Sequence, residues 1–195
     1  MNRTFRRCSR LFGGGVTLVA AGLLAAALVQ APAAVASDAP GDPGMVAGVY
    51  VWQRPNWCEP AAAATVLRLL GVRVTQDQAA AVMDVNQHPT RVNVWLRPRG
   101  LVMVTQWAHD AATLRRVAGS GRPVLVAVWG YRLPWDSRRY SVRDGGHAIV
   151  LLGVTTFGAR VWDPARHDSG GFHVLSFGAL AAAAYVSYPI VRRAE

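Results

Sequence analysis

The chain has 195 residues, 52% of them hydrophobic, and a formal charge of +10 whose positive side is all arginine, since no lysine occurs. That length holds a single domain with a sizeable core, with room for a targeting segment. Two cysteines exclude a disulfide scaffold, and the lack of a basic helix or aromatic stacking motif sets aside nucleic acid as a partner.

Residues 1–36 read as a secretion signal. Arg3, Arg6, Arg7 and Arg10 make a positive start, Leu11 to Val29 is an apolar run of 19 residues, and Ala34-Val35-Ala36 supplies small residues for cleavage after Pro32. If retained, the run is long enough to span a bilayer, so an anchor is the alternative, and membrane contact is expected only through this segment. Arg6-Arg7 is a weak hint of twin-arginine export, because Ser9 stands where an apolar residue belongs. The expected location is secreted or cell envelope. Losing four arginines and no acid takes the charge from +10 to +6 over residues 37–195. That charge reads as solvated surface, with attraction to acidic polymers or lipid headgroups as the functional alternative.

Residues 37–48 read as a linker, and 49–195 as the domain. Val49 to Trp52 is expected as a short strand. Cys58 to Leu70 is a helix apolar on nearly every side, hence central, with Pro60 tolerated in its first turn and Gly71 ending it. A second helix starts at Thr75 or Gln76 and runs to about Asp84. Val92 to Leu96 is a short helix or turn, and Gly100 to Val104 a strand. Asp110 caps a helix through Val117, with Ala111, Leu114 and Val117 on one face. Val124 to Trp129 and His147 to Gly153 are buried strands, joined by a long polar loop, Gly130 to Asp144. Ala159 to Trp162, Phe172 to Ser176 and Tyr185 to Val191 extend the sheet, with a short helix Leu180 to Ala184 before the last strand. One buried helix followed by a mainly antiparallel sheet is α+β.

Losing the signal removes Cys8 and leaves Cys58 as the one cysteine of the domain. A lone thiol in an exported protein is a liability unless it is buried or used. This one opens a helix, where unpaired N–H groups and the positive end of the dipole favour thiolate, the reactive form. His147 follows Gly145-Gly146 at the start of a buried strand, so its ring can emerge at the strand's end to take a thiol proton. Asp163 lies 16 residues on, across a hairpin, where a carboxylate would fix the imidazole; its bland reading is a turn aspartate before Pro164. Gln53, five residues ahead of Cys58, is the candidate oxyanion donor alongside the Cys58 N–H. Trp57 reads as packing and a groove wall, and Asp144, His167 and Asp168 as loop residues. There is no metal-binding spacing and no phosphate loop, so no cofactor is expected; His167, Asp168 and His173 make only a loose ligand set.

Gln53, Asn56-Trp57-Cys58-x-Pro60-Ala61, Gly145-Gly146-His147-Ala-Ile-Val-Leu-Leu-Gly153 and Asp163-Pro164 together resemble the papain-like peptidases related to the bacteriocin-processing, double-glycine-leader peptidases (family thirty-nine of the cysteine peptidases) and their freestanding exported relatives. The resemblance covers roughly residues 49 to 190. It implies a papain-like fold, with Cys58 as nucleophile, His147 as base, Asp163 as orienter, Gln53 as oxyanion donor, and a peptide or protein as substrate for a monomeric enzyme. The sequence departs from the family at Glu59, where glycine is usual, and in the Gln53 spacing, which is one residue shorter. A charge beside the sulfur works against the thiolate unless it points to solvent. No transporter domain follows, so a leader peptide is not assumed as substrate, and the short linker leaves no room for an inhibitory prodomain. The expectation is an exported cysteine peptidase. The alternative is a peptidase fold that binds peptides without turnover. A cell-wall NlpC-type peptidase ranks below both, because its Asp-Cys-Ser and second histidine are missing.

Overall fold

A computed structural model describes residues 48–83, 88–107, 110–135, 145–165 and 171–194. The signal at 1–36 and the linker up to residue 47 lie outside them, as do Asp144, His167 and Asp168.

The first helix, α1 (Cys58–Leu69), is buried along most of its length, from Pro60 to Leu67. Its alanine run carries high helix propensity and small side chains, which lets the backbone lie close against a sheet. Gly71 ends it at φ +77°, with Gly71 N donating to Arg68 O (2.9 Å) and Val72 N to Leu67 O (2.9 Å), the paired bonds of a Schellman cap. Next comes α2 (Gln76–Met83), then a 3₁₀ turn Pro89–Val92 running into α3 (Asn93–Leu96), and a 3₁₀ turn Arg97–Arg99 before β1 (Leu101–Met103). Asp110 caps α4 (Ala111–Ala118), its Oδ1 accepting from Thr113 N at 2.6 Å.

The rest is β2 (Val124–Trp129), β3 (Gly146–Thr155), β4 (Gly158–Trp162), β5 (Phe172–Leu175), α5 (Phe177–Ala183), β6 (Ala184–Tyr188) and β7 (Ile190–Arg192). Five of these strands form one antiparallel sheet in the order β5-β4-β3-β2-β6. One face packs on α1 through Leu125, Ala127, Ala148, Val150 and Val186, with α2 packed on α1 in the same core. The other packs on α4 and α5 through Val124, Val126, Val128, Ile149 and Val161. Cover on both faces explains why β2 is apolar without alternation. The fold is α+β with the cysteine helix first.

Two expected elements differ. Val49 to Trp52 forms no strand, because its polar groups bond to side chains: Val51 N donates to Thr65 Oγ1 (3.1 Å) and Trp52 O accepts from Gln76 Nε2 (3.4 Å). The single strand Tyr185 to Val191 divides at Pro189, which has no N–H for a ladder; its carbonyl accepts from Val104 N (3.1 Å), and β7 pairs with β1 instead. The last helix also starts earlier than expected, at Phe177, where Ser176 Oγ accepts from Ala179 N at 3.1 Å.

Candidate active site

The segment ahead of α1 is fixed by a tight turn. In Arg54-Pro55-Asn56-Trp57, Trp57 N donates to Arg54 O (3.0 Å) and Asn56 sits at φ +63°. Proline then asparagine is the pairing a type II turn selects, proline for its locked φ and asparagine for its tolerance of the left-handed region. Arg54 is held by a two-pronged contact with Asp77 (2.5 and 2.8 Å) and lies over the Trp57 ring at 5.2 Å. Gln76 ties the same stretch to α2, accepting from Arg54 N (3.3 Å). Between these anchors Gln53 is buried, and its N–H donates to Pro164 O at 3.0 Å. One bond therefore joins the segment ahead of Cys58 to the residue after Asp163.

Trp57 precedes α1 without any side-chain cap, and the first helical bond runs from Ala61 N to Trp57 O. The peptide N–H groups of Cys58 and Glu59 thus lie ahead of the helical ladder. Cys58 is a buried thiol outside any disulfide.

His147 is the second residue of β3, paired with Val128 on β2. Gly145, at φ +80°, is needed there: a Cβ would stand 3.0 Å from the Tyr131 ring, and Gly145 O accepts from Gly130 N at 2.7 Å. The imidazole is fully buried. Its Nε2 meets Asp163 Oδ1 at 2.7 Å, while Nδ1 is buried without a hydrogen-bond partner; Cys58 also acts on the ring, raising its pKa.

Asp163 follows β4 and is fully buried. Three groups serve its carboxylate: His147, Ala165 N (2.8 Å, to Oδ1) and Trp135 Nε1 (2.6 Å, to Oδ2). Trp135 in turn stacks flat on His173, ring centroids 3.8 Å apart. Burial on its own would raise this carboxyl's pKa; the bonds from His147, Trp135 and Ala165 outweigh it and hold the value low. Burial likewise would lower the imidazole's pKa, but the hydrogen bonds and charges of Asp163 and Cys58 carry it up to about 9. Below that value the pair is imidazolium and carboxylate, with a positive ring presented to the sulfur.

Glu59 does not point freely to solvent. It is largely buried beside Tyr188, and burial pushes its carboxyl up to about 7. The charge expected beside the sulfur is therefore only partly present at neutral pH.

The four residues singled out in the sequence are gathered here: His147 bonds Asp163, Cys58 acts on His147, and Gln53 is bonded to the segment of Asp163. Trp135 and Gln76 were not anticipated in these positions. Trp135 was visible only as an aromatic in the long loop, and nothing in its spacing from Asp163 marks an indole donor. No group of three or more His, Cys, Asp or Glu arranged for a metal occurs among the described residues. Nor is any helix among them long and apolar enough to cross a membrane.

Solved structures of the same fold include a double-glycine motif protease from an AMS/PCAT transporter in complex with the leader peptide, at 17% identity over 73% of this chain and 89% of that one, with a TM-score of 0.51. A putative C39-like peptidase from Bacillus anthracis matches at 15% identity over 75% and 95%, TM-score 0.53. The peptidase domain of Streptococcus ComA, a bifunctional ABC transporter of a quorum-sensing pathway, matches at 16% identity over 73% and 97%, TM-score 0.53. A comparison with curated proteins finds no match. The model of the Peptidase_C39 like family matches residues 46–189, which takes in the whole constellation from Gln53 to Asp163, and the chain belongs to that family.

Proposed function

We propose that the protein is an exported cysteine peptidase that hydrolyses a peptide or amide bond through a Cys58 acyl-enzyme. The observation that carries this reading is the buried His147–Asp163 pair, on whose imidazole Cys58 also acts. The Cys58 thiolate attacks the carbonyl carbon, and the oxyanion is received by the Cys58 N–H and the Gln53 amide. His147 gives its Nδ1 proton to the leaving amine, which departs and leaves a thioester. His147 then takes a proton from water as the water attacks, and the acid product leaves the sulfur. Asp163 keeps the other ring nitrogen protonated throughout and stabilises the cation.

A peptide substrate is supported by the fold neighbour that is in complex with a leader peptide. Peptides with a double-glycine junction are the first probes to offer. Cys58→Ala is expected to reduce their cleavage by a thousandfold or more, and a loss below about tenfold would sink the reading. Export rests on the arginine start, apolar run and Ala34-Val35-Ala36. N-terminal sequencing of the protein from culture medium or envelope is expected to begin near residue 37.

A second reading, a module that binds peptides without turnover, is favoured by Glu59, an acid directly after the cysteine in sequence. It predicts unchanged peptide affinity in Cys58→Ala and no cleavage by either form.

A further inference from the structure

Trp135 stands in the polar stretch between β2 and β3, half-buried and outside any helix or strand. The register of the sheet brings its partners together. Val161 on β4 pairs with His173 on β5, and directly opposite residues share a face. Asp163 lies two residues beyond Val161 along the same extended chain, so it shares that face as well. The chain is still laddered there, since Asp163 N donates to Gly171 O at 2.7 Å. On this face the Trp135 ring lies flat on His173, 7° from parallel, and its Nε1 donates to Asp163 Oδ2 at 2.6 Å.

Packing alone does not require that nitrogen, because a phenyl ring would cover the same apolar cluster. The donor matters for the way the two carboxylate oxygens are served. Oδ1 accepts from His147 Nε2 and from Ala165 N, whereas Oδ2 accepts from Trp135 alone among the described residues. The side chain has no exposed surface, so bulk solvent supplies no donor in its place. The terminal torsion of an aspartate is broad, so the backbone bonds fix where Asp163 sits and not how its carboxylate plane turns. The indole settles that plane and leaves Oδ1 facing the imidazole. Without the indole N–H, a buried oxygen stands bare and favours a proton, and a neutral carboxyl cannot balance an imidazolium.

We infer that Trp135 is a positioning residue of the candidate active site: its indole N–H fixes the Asp163 carboxylate in plane and in charge, and through it the His147 imidazolium that serves Cys58. The stack on His173 fixes the indole in turn. Cys58 is the other titratable group that acts on His147, and His147 the one that acts on Asp163. His173 meets the face of the indole, whereas the carboxylate meets its edge. The catalytic consequence rests on the peptidase reading; the effect on the imidazole does not.

The test compares the full chain with Trp135→Phe, which keeps a ring and removes the donor. Three readouts are taken against pH: peptide cleavage, alkylation of Cys58 by iodoacetamide, and the His147 ring signals by NMR, assigned with His147→Ala. In Trp135→Phe the imidazole is expected to titrate below the parent value of about 9. The active pH range then narrows from both sides: the basic limb moves down as the imidazolium is lost earlier, and the acid limb moves up as the thiolate loses its cation. At the optimum kcat is expected to fall about tenfold, the size of one bond to a charged group. A purely structural role scales the rate and leaves both limbs in place. His173→Ala, which frees the indole, is expected to shift the limbs in the same direction by less, and it carries the test if Trp135→Phe does not fold. In an Asp163→Asn background, Trp135→Phe is expected to move the alkylation profile no further. The inference is overturned if His147 titrates in Trp135→Phe as in the parent, if both limbs stay in place, or if the shift persists undiminished in Asp163→Asn. If the parent cleaves no peptide, the peptidase reading fails, and the NMR and alkylation profiles still decide for or against Trp135.

Discussion

Asp163 is a fully buried carboxyl and Glu59, one residue after Cys58, a partly buried one, and their pKa values shift in opposite directions. Asp163 receives an imidazolium, an indole N–H and a peptide N–H, and its pKa falls despite full burial. Glu59 makes no hydrogen bond or ion pair among the described residues, lies beside Tyr188, and rises to about 7. The residue type is the same chemistry in both places; the count of donors decides the charge. A carboxyl that stays ionised can hold a cation for catalysis, whereas one that is neutral half the time at pH 7 can sit next to a thiolate without repelling it strongly.

The largest expected effect is at the saturated carboxyl. Asp163→Asn is expected to lower turnover of a cleavable peptide by three orders of magnitude or more, because an amide can hold the ring in the wrong tautomer and cannot balance its charge. If turnover stays within tenfold, Asp163 is a turn residue and the contrast with Glu59 has no catalytic meaning.

The pH dependence of stability comes next. The His147 pKa is raised from 6.5 to about 9, so the ion pair stabilises the fold fully below 6.5 and that contribution is lost as pH rises through 9. A shift of that size is worth up to about 3 kcal/mol. Urea unfolding between pH 6 and 10 is expected to show the loss in the parent chain and its absence in His147→Ala.

Glu59 has the reverse kind of shift: an acid whose folded pKa is raised stabilises nothing below 4.5 and destabilises increasingly as pH climbs to about 7. Glu59→Gln is therefore expected to gain about 2 kcal/mol at pH 8 and nothing at pH 4. It also sharpens the functional comparison. Faster alkylation of Cys58 by iodoacetamide in Glu59→Gln at pH 8 means the carboxylate restrains the thiolate, and an unchanged rate means that Glu59 faces away from the sulfur.

The smallest effect is expected at Trp135. Trp135→Phe keeps the stack on His173 and removes one of the three donors to Asp163, at a cost of about 1–2 kcal/mol. Stability indistinguishable from the parent would mean that water replaces the indole N–H.

Much of this was legible in the sequence because it rests on local patterns. The buried helix follows from an alanine-rich run between Cys58 and Gly71, and β2 and β3 follow from continuous apolar stretches bounded by Gly119–Pro123 and Gly145-Gly146. The hairpin between His147 and Asp163 follows from spacing. What escaped depends on partners far away in the chain. Val49 to Trp52 has strand-like composition, yet its backbone bonds go to Thr65, Gln76 and, through Gln53, Pro164. Proline at 189 was readable as a ladder break, but only the closeness of Val104 explains where the chain goes next. Trp135 lies in a loop, where sequence carries no periodicity from which to infer a direction.

The bond from Gln53 N to Pro164 O joins residues far apart in the domain, with most of its elements between them. Residues that must meet at the thiol come from its first and last thirds, so the ends of a long loop have to be brought together before the constellation exists. Contacts of such high sequence separation slow folding, because the closure entropy is spent before they contribute. A nascent or partly unfolded chain holds Cys58 without its imidazole, and the thiol acquires its partner only when the sheet has closed around α1. Timing is thereby written into topology: whatever reactivity the sulfur has is deferred until the domain is whole.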